Sequence, residues 1–126
     1  MILVFGGAYQ GKLDYALERF ELTHDDVYRC SDDDSGVPRG KKIICGLERW
    51  ILALVKEGAD VEDAVRRFAS ENQSAVVTCA DISCGVVPED AALRKWREDV
   101  GRTLTKLARD SDEVIRVFCG IPSKQK

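Results

Sequence analysis

No apolar run in this chain approaches the roughly 20 residues that a membrane-spanning helix requires. Met1 leads straight into Ile2-Leu3-Val4-Phe5 with no basic stretch before it, so a signal peptide is not expected either and a cytoplasmic location is. An excess of positive charge is also lacking. The formal net charge is −3, which argues against a nucleic-acid surface as the main activity. Five cysteines occur, but none of them forms a C-x-x-C pair, and an odd number in a cytoplasmic chain does not suggest a disulfide framework. Histidine is nearly absent: His24 is the only one. Internal repeats and a second composition block are missing, so one domain over residues 1–126 is expected. With 44% hydrophobic and 33% charged residues, the composition is that of a soluble globular protein.

What is present is a glycine-rich turn in a telling position. Gly6-Gly7-Ala8-Tyr9-Gln10-Gly11-Lys12-Leu13 follows the apolar run at residues 2–5 and precedes an amphipathic segment, Asp14 to Leu22. The spacing G-x-x-x-x-G-K is complete. Such a loop turns successive main-chain N–H groups toward phosphate oxygens, the helix N-terminus adds partial positive charge, and Lys12 reaches the outer phosphates. A Ser or Thr hydroxyl would follow to hold magnesium, but here the residue is Leu13. Leu13, Ala16, Leu17 and Phe20 share helical spacing, so Leu13 joins an apolar face instead. Phosphate binding is therefore indicated, with Gly6 to Leu13 as the binding residues. Metal-assisted phosphoryl transfer is not indicated, and no set of metal ligands is read from the sequence.

Strands and helices alternate along the rest. Asp26 to Cys30 reads as a second strand and the polar stretch Ser31 to Gly40 as an exposed loop. Lys42 to Cys45 reads as a third strand. Leu47, Trp50, Ile51, Leu54 and Val55 mark a helix ending near Gly58, and Val61, Ala64, Val65 and Phe68 mark another. Ser74 to Cys79 reads as a fourth strand. Leu93, Trp96, Val100, Leu104 and Leu107 mark a long helix, Glu113 to Cys119 a last strand, and Ser123 to Lys126 a polar tail. This order predicts an α/β fold of P-loop NTPase type, a mainly parallel sheet with helices on both faces. Cys30, Cys45, Cys79 and Cys119 fall at or near strand carboxyl ends, which border the ligand crevice in open parallel sheets. Either they are small buried hydrophobes or they form a thiol cluster facing a ligand or metal.

The ordered pieces resemble the bifunctional adenosylcobinamide kinase/adenosylcobinamide-phosphate guanylyltransferase family. Met1 to Ala8 with Gly11-Lys12 is similar to its N-terminus. Gly85-Val86-Val87-Pro88-Glu89 resembles its G-[IV]-V-P-E turn, and Trp96-Arg97-Glu98 with Gly101-Arg102 its F-R-D-x-x-G-R helix. Asp112-Glu113-Val114 and Cys119-Gly120-Ile121 resemble its D-E-V strand and the S-G-[IL] that follows. The resemblance covers about the first 30 residues and Ser74 to Ile121. It implies a cobalamin-pathway protein that uses ATP or GTP, takes a corrinoid substrate and assembles as a homotrimer. Family members phosphorylate adenosylcobinamide, then carry GMP from GTP on a histidine.

The departures fall on the chemistry. The segment that holds the guanylylated histidine shrinks to Ser31–Lys41 and has none, while His24 lies before the second strand and matches nothing in that motif. An acid expected at the end of the third strand aligns with Cys45 or Gly46, and Glu48 nearby falls on the next helix. An N-E-V-G stretch becomes Ala80-Asp81-Ile82-Ser83, which leaves Asp81 as the carboxylate to bind metal through water or accept a hydroxyl proton, with Lys12 as the other catalytic candidate. An Asn in the long helix becomes Leu104. Asp32, Asp33 and Asp34 read as a solvated charge run rather than as magnesium ligands. Arg97 and Arg102 read as an exposed helix face, with contact to phosphate or a neighbouring subunit as the alternative. The favoured reading is a shortened relative that binds nucleotide with reduced or lost catalysis. An active small-molecule P-loop kinase and a structural or regulatory subunit without nucleotide remain open at this point.

Overall fold

The structure, a computed structural model, describes residues 1–82 and 89–126. Its elements are β1 (Ile2–Gly6), α1 (Lys12–Arg19), β2 (Val27–Arg29), β3 (Ile43–Cys45), α2 (Leu47–Glu57), α3 (Val61–Glu71), β4 (Val76–Ala80), α4 (Ala91–Asp110), β5 (Glu113–Phe118) and β6 (Ile121–Lys124). A 3₁₀ turn, His24–Asp26, leads into β2. They form one six-stranded sheet in the order β2-β3-β4-β1-β5-β6. The first five strands run parallel and β6 is antiparallel to β5. This is the α/β, mostly parallel, P-loop NTPase-like architecture read from the sequence. No helix among the described residues is long and apolar enough to cross a membrane.

Strand side chains alternate between two faces. Leu3, Ile44, Val77, Cys79 and Val114 meet α2, α3 and α4 on one face. Val4, Ile43, Val76, Ile115 and Val117 meet α1 and its continuation on the other. The first core centres on Trp50 and Phe68, whose ring centroids lie 5.4 Å apart. It also covers a departure from simple βαβ winding. β2 and β3 are parallel neighbours, yet no helix joins them; the connecting segment crosses the sheet as a loop. That loop is fastened by Trp50 Nε1, which donates to Ser35 O at 3.0 Å, and by the buried Asn72, whose Nδ2 donates to Pro38 O at 2.9 Å.

Two readings from the sequence need correction. The last parallel strand ends at Phe118, and the polar tail is largely a strand: Ile121–Lys124 pairs antiparallel with Ile115–Phe118. The connection is a two-residue turn in which Cys119 (φ 50°) and Gly120 (φ 75°) are both left-handed. That is the geometry of a tight hairpin turn, but Cys at its first position gives little local signal for it. Pro122 is tolerated because β6 lies at the sheet edge. The first helix also begins at Lys12 and ends at Arg19, rather than running from Asp14 to Leu22.

The thiols divide between their two readings: Cys79 is a small buried hydrophobe, Cys30 and Cys45 are lining residues of the hollow beside the β1–α1 turn, and Cys119 is neither buried nor in that hollow. Cys30 and Cys79 are buried against the α2–α4 side of the sheet, Cys45 belongs with the α1 side, and Cys119 is exposed on the hairpin turn. Among the described residues no group of three His, Cys, Asp or Glu side chains is arranged to hold a metal. Burial pushes the Cys30 thiol up to about 12, with Glu48 and Cys45 adding to the shift, and burial raises Cys79 likewise. A protonated buried thiol is inert.

Two outcomes follow. Phe68 is fully buried, so Phe68→Ala should cost about 3–5 kcal/mol in urea unfolding, the usual range for emptying such a site. The unfolded chain ionises its cysteines near pH 8.5 whereas folded Cys30 stays protonated, so this contribution is whole below about pH 8.5 and shrinks toward pH 12. Stability should therefore fall as pH rises from about 8.5 toward 12, and Cys30→Ala should flatten the first pH unit of that fall by on the order of 1 kcal/mol.

Candidate functional site

α1 leaves β1 toward β2 on one face of the sheet, while α4 leaves β4 toward β5 on the other face, passing over β1. The winding therefore reverses between β1 and β4, and a crevice opens beyond their carboxyl ends. Gly6 closes β1 with φ 155°, and a Cβ there would lie 2.3 Å from Val117 O. No other residue fits this exit. Asp81 N donates to Gly6 O at 2.8 Å, which ties the ends of β1 and β4 together.

The chain then turns through residues 7–11. Tyr9 is left-handed (φ 58°) and its side chain is wholly exposed, so its ring does not cover the turn. Gln10 anchors the loop to the hairpin: its carbonyl accepts from Gly120 N at 2.9 Å and its Oε1 from Cys119 N at 2.5 Å. Gly11 (φ 89°) is the N-cap of α1 and supplies no side-chain cap. The first helical N–H to find an acceptor is that of Tyr15, which donates to Gly11 O at 3.0 Å. Among the described residues, the N–H groups of Lys12, Leu13 and Asp14 meet none. Lys12 Nζ folds back over the turn and donates to Gly7 O at 2.6 Å. Leu13, at the position where a hydroxyl would serve a metal, packs into the core on the α1 side.

A hollow of about 310 Å³ faces this turn, walled on its far side by Arg29, Glu48, Arg49 and Thr78 among others. Glu48 is its notable member. It lies on the first turn of α2, as its sequence position suggests, but its carboxylate is directed back to the tip of β4. Its Oε1 accepts from Ala80 N at 2.8 Å, its side chain is only 13% exposed, and the nearest cation, Arg49 Nε, stands 3.9 Å from Oε2. Two contacts hold α2 in this position. Trp96 Nε1 donates to Glu48 O at 2.8 Å, and Gly46 N donates to Thr78 Oγ1 at 3.1 Å. Gly46 is left-handed (φ 78°), which makes the sharp bend from β3 into α2. Glu48 and Lys12 both act on the buried Cys79 thiol, with opposite sign, after the larger effect of burial. Asp81 is not among the residues that line the hollow; it sits just beyond β4, with its N–H on Gly6 O.

The other candidates lie elsewhere. His24 opens the 3₁₀ turn, and its Nδ1 accepts from Arg29 at 3.0 Å. Asp32 pairs with Lys56 at 3.1 Å, and Asp34 Oδ1 accepts from Gly36 N at 2.9 Å. Arg102 lies 3.7 Å from the buried Asp99, and Leu104 packs against the core. Arg97 and Arg102 line a second hollow, about 1290 Å³ along α3 and α4. That groove is larger, but it contains no residue of the β1–α1 turn, and several of its charges are engaged in ion pairs such as Lys95–Asp99 at 2.5 Å. We therefore place the candidate site at the strand tips. The stretch Gly85-Val86-Val87-Pro88 lies outside the described residues.

Sequence reasoning found the loop but missed two of its neighbours. The reach of Glu48 depends on a left-handed Gly46, and the grip on Gln10 depends on a hairpin that the cysteine at its turn disguised. A search of curated proteins found no match. A model of the family CobU, described as cobinamide kinase / cobinamide phosphate guanyltransferase, matches residues 45–125. The match takes in α2 and α3, where only the strand–helix pattern had suggested kinship, and it starts after the β1–α1 turn. It covers more than half of the chain and spans β4, α4, β5 and β6, the elements that wall and clamp the crevice. The chain belongs to the cobinamide kinase / cobinamide phosphate guanyltransferase family.

Proposed function

We propose that residues 1–126 form a single nucleotide-binding domain of the cobalamin pathway, in which Gly6 to Leu13 hold the phosphates of ATP or GTP and catalysis is reduced or lost. The observation that carries this reading is the row of N–H groups at Lys12, Leu13 and Asp14, which meet no acceptor among the described residues while the Lys12 ammonium rests on Gly7 O. Lys12 and Leu13 are half-buried and Asp14 is exposed; donors without acceptors at a helix N-terminus are the groups to which an anion supplies acceptors. Arriving phosphate oxygens would take these donors and draw Lys12 Nζ away from its carbonyl.

The reduction in catalysis rests on what each side chain supplies. Leu13 offers no oxygen to a cation. Asp81, whose N–H is bonded to Gly6 O, is the carboxylate we assign to accept a proton from an acceptor hydroxyl. No histidine is available to carry GMP, since His24 is engaged with Arg29 before β2. Guanylyl transfer by the family's covalent route is therefore absent from this reading. A corrinoid partner and a trimer come with the family resemblance, and a cytoplasmic location with the reading of the N-terminus and the short apolar runs. An active small-molecule kinase is the second reading, and Glu48, with its carboxylate facing the loop, is the observation in its favour.

Isothermal titration with ATP and with GTP, in EDTA, tests the main reading. The wild type should bind at least one of the two. Lys12→Ala should weaken that binding by about 10- to 100-fold, the loss of a charge-assisted contact. Thermal melting should be nearly unchanged, because the ammonium makes a single hydrogen bond. A wild type that binds neither nucleotide, or a variant that binds as tightly, would overturn it.

A further inference from the structure

We propose that Glu48 is the cation anchor of this pocket, a carboxylate relocated from the end of β3 to the first turn of α2. The proposal rests on nucleotide binding at the β1–α1 turn. Where the family resemblance calls for an acid at the end of the third strand, this chain has Cys45 and Gly46. Cys45 packs on the α1 side of the sheet and offers no carboxylate. Glu48 restores one from three residues further on.

Three features single it out. The carboxylate lines the same hollow as Lys12. It is nearly buried, and among the described residues the cation nearest Oε2 is Arg49 Nε, 3.9 Å away on an arginine side chain that is 67% exposed. Oε1 is fixed by Ala80 N, so the group cannot swing away into solvent without exposing that N–H. A carboxylate held beside a phosphate-binding turn opposes a bare polyphosphate, because like charges repel strongly where water is partly excluded. A divalent cation between them removes the opposition. Magnesium is commonly held by one or two carboxylates, with phosphate oxygens and water completing its shell. Glu48 meets that requirement, and Thr78, whose Oγ1 accepts from Gly46 N, is a lining residue of the same hollow. The donor set therefore fits the ion even though Leu13 does not.

Glu48→Gln tests the assignment, since glutamine keeps an oxygen for Ala80 N and loses only the charge. ATP and GTP are titrated into wild type and variant, in EDTA and in excess magnesium. Magnesium should tighten wild-type binding by about fivefold or more, a typical coupling between two ligands, and should leave the variant nearly unaffected. In EDTA the variant should bind at least as tightly as the wild type, because a repulsion has gone. Equal weakening of the variant in both buffers would show that Glu48 only props up β4, and would overturn the proposal. So would a wild type that binds nucleotide identically with and without magnesium; the function proposed above would survive either result. A wild type that binds no nucleotide in either buffer would remove both.

Discussion

The space at the end of β1 is what the rest of the crevice depends on. β1 lies between β4 and β5, so its last residue must turn out of the sheet through a gap bounded by the Val117 carbonyl and the start of the post-β4 segment. Gly6 alone passes through it, and in doing so its own carbonyl becomes the acceptor for Asp81 N. The exit fixes the direction of the turn, the turn fixes the axis of α1, and the axis fixes where the unsatisfied N–H groups of the first helical turn point. A larger residue at position 6 would disturb all three. The glycines at 11 and 46 act downstream of this constraint. One starts α1 in a left-handed conformation, and the other folds α2 over the neighbouring strand tip.

Much of this was legible in the sequence because it is written in local periodicity. Ile2-Leu3-Val4-Phe5 followed by closely spaced glycines and a lysine announces strand, turn and helix. Leu47, Trp50, Ile51, Leu54 and Val55 announce the buried face of α2, and all five are buried. The fold class followed from the alternation of such segments. What escaped was set by long-range contact or by unusual dihedral angles. β6 is exposed throughout and carries Pro122, so it has no apolar rhythm; only its pairing with β5 makes it a strand. The direction of the Glu48 carboxylate is equally invisible, because a glutamate on the first turn of a helix ordinarily faces water.

The departures from the family pattern are also less independent of one another than they look in one dimension. The segment between β2 and β3 is short enough to cross without a helix, and Trp50 and Asn72 of the following layer hold it down. The same α2 that supplies Trp50 supplies Glu48, and Trp96 of α4 fastens the backbone at that position. In the reading proposed above, the shortened connection and the acid relocated from β3 to α2 therefore converge on a single helix. The family match runs through this region, from the last residue of β3 to one residue past the end of β6, and so through the scaffold that presents the crevice.

The clasp between Gln10 and the Cys119–Gly120 turn joins residues 109 positions apart. β1 is itself flanked by strands that follow it by some 70 and 110 positions in the pairing register. The loop at the front of the chain therefore cannot acquire its shape as it is synthesised. Its final shape depends on the docking of that hairpin. Contacts between segments so far apart in sequence form slowly, so the glycine-rich turn is among the last parts of the molecule to become itself.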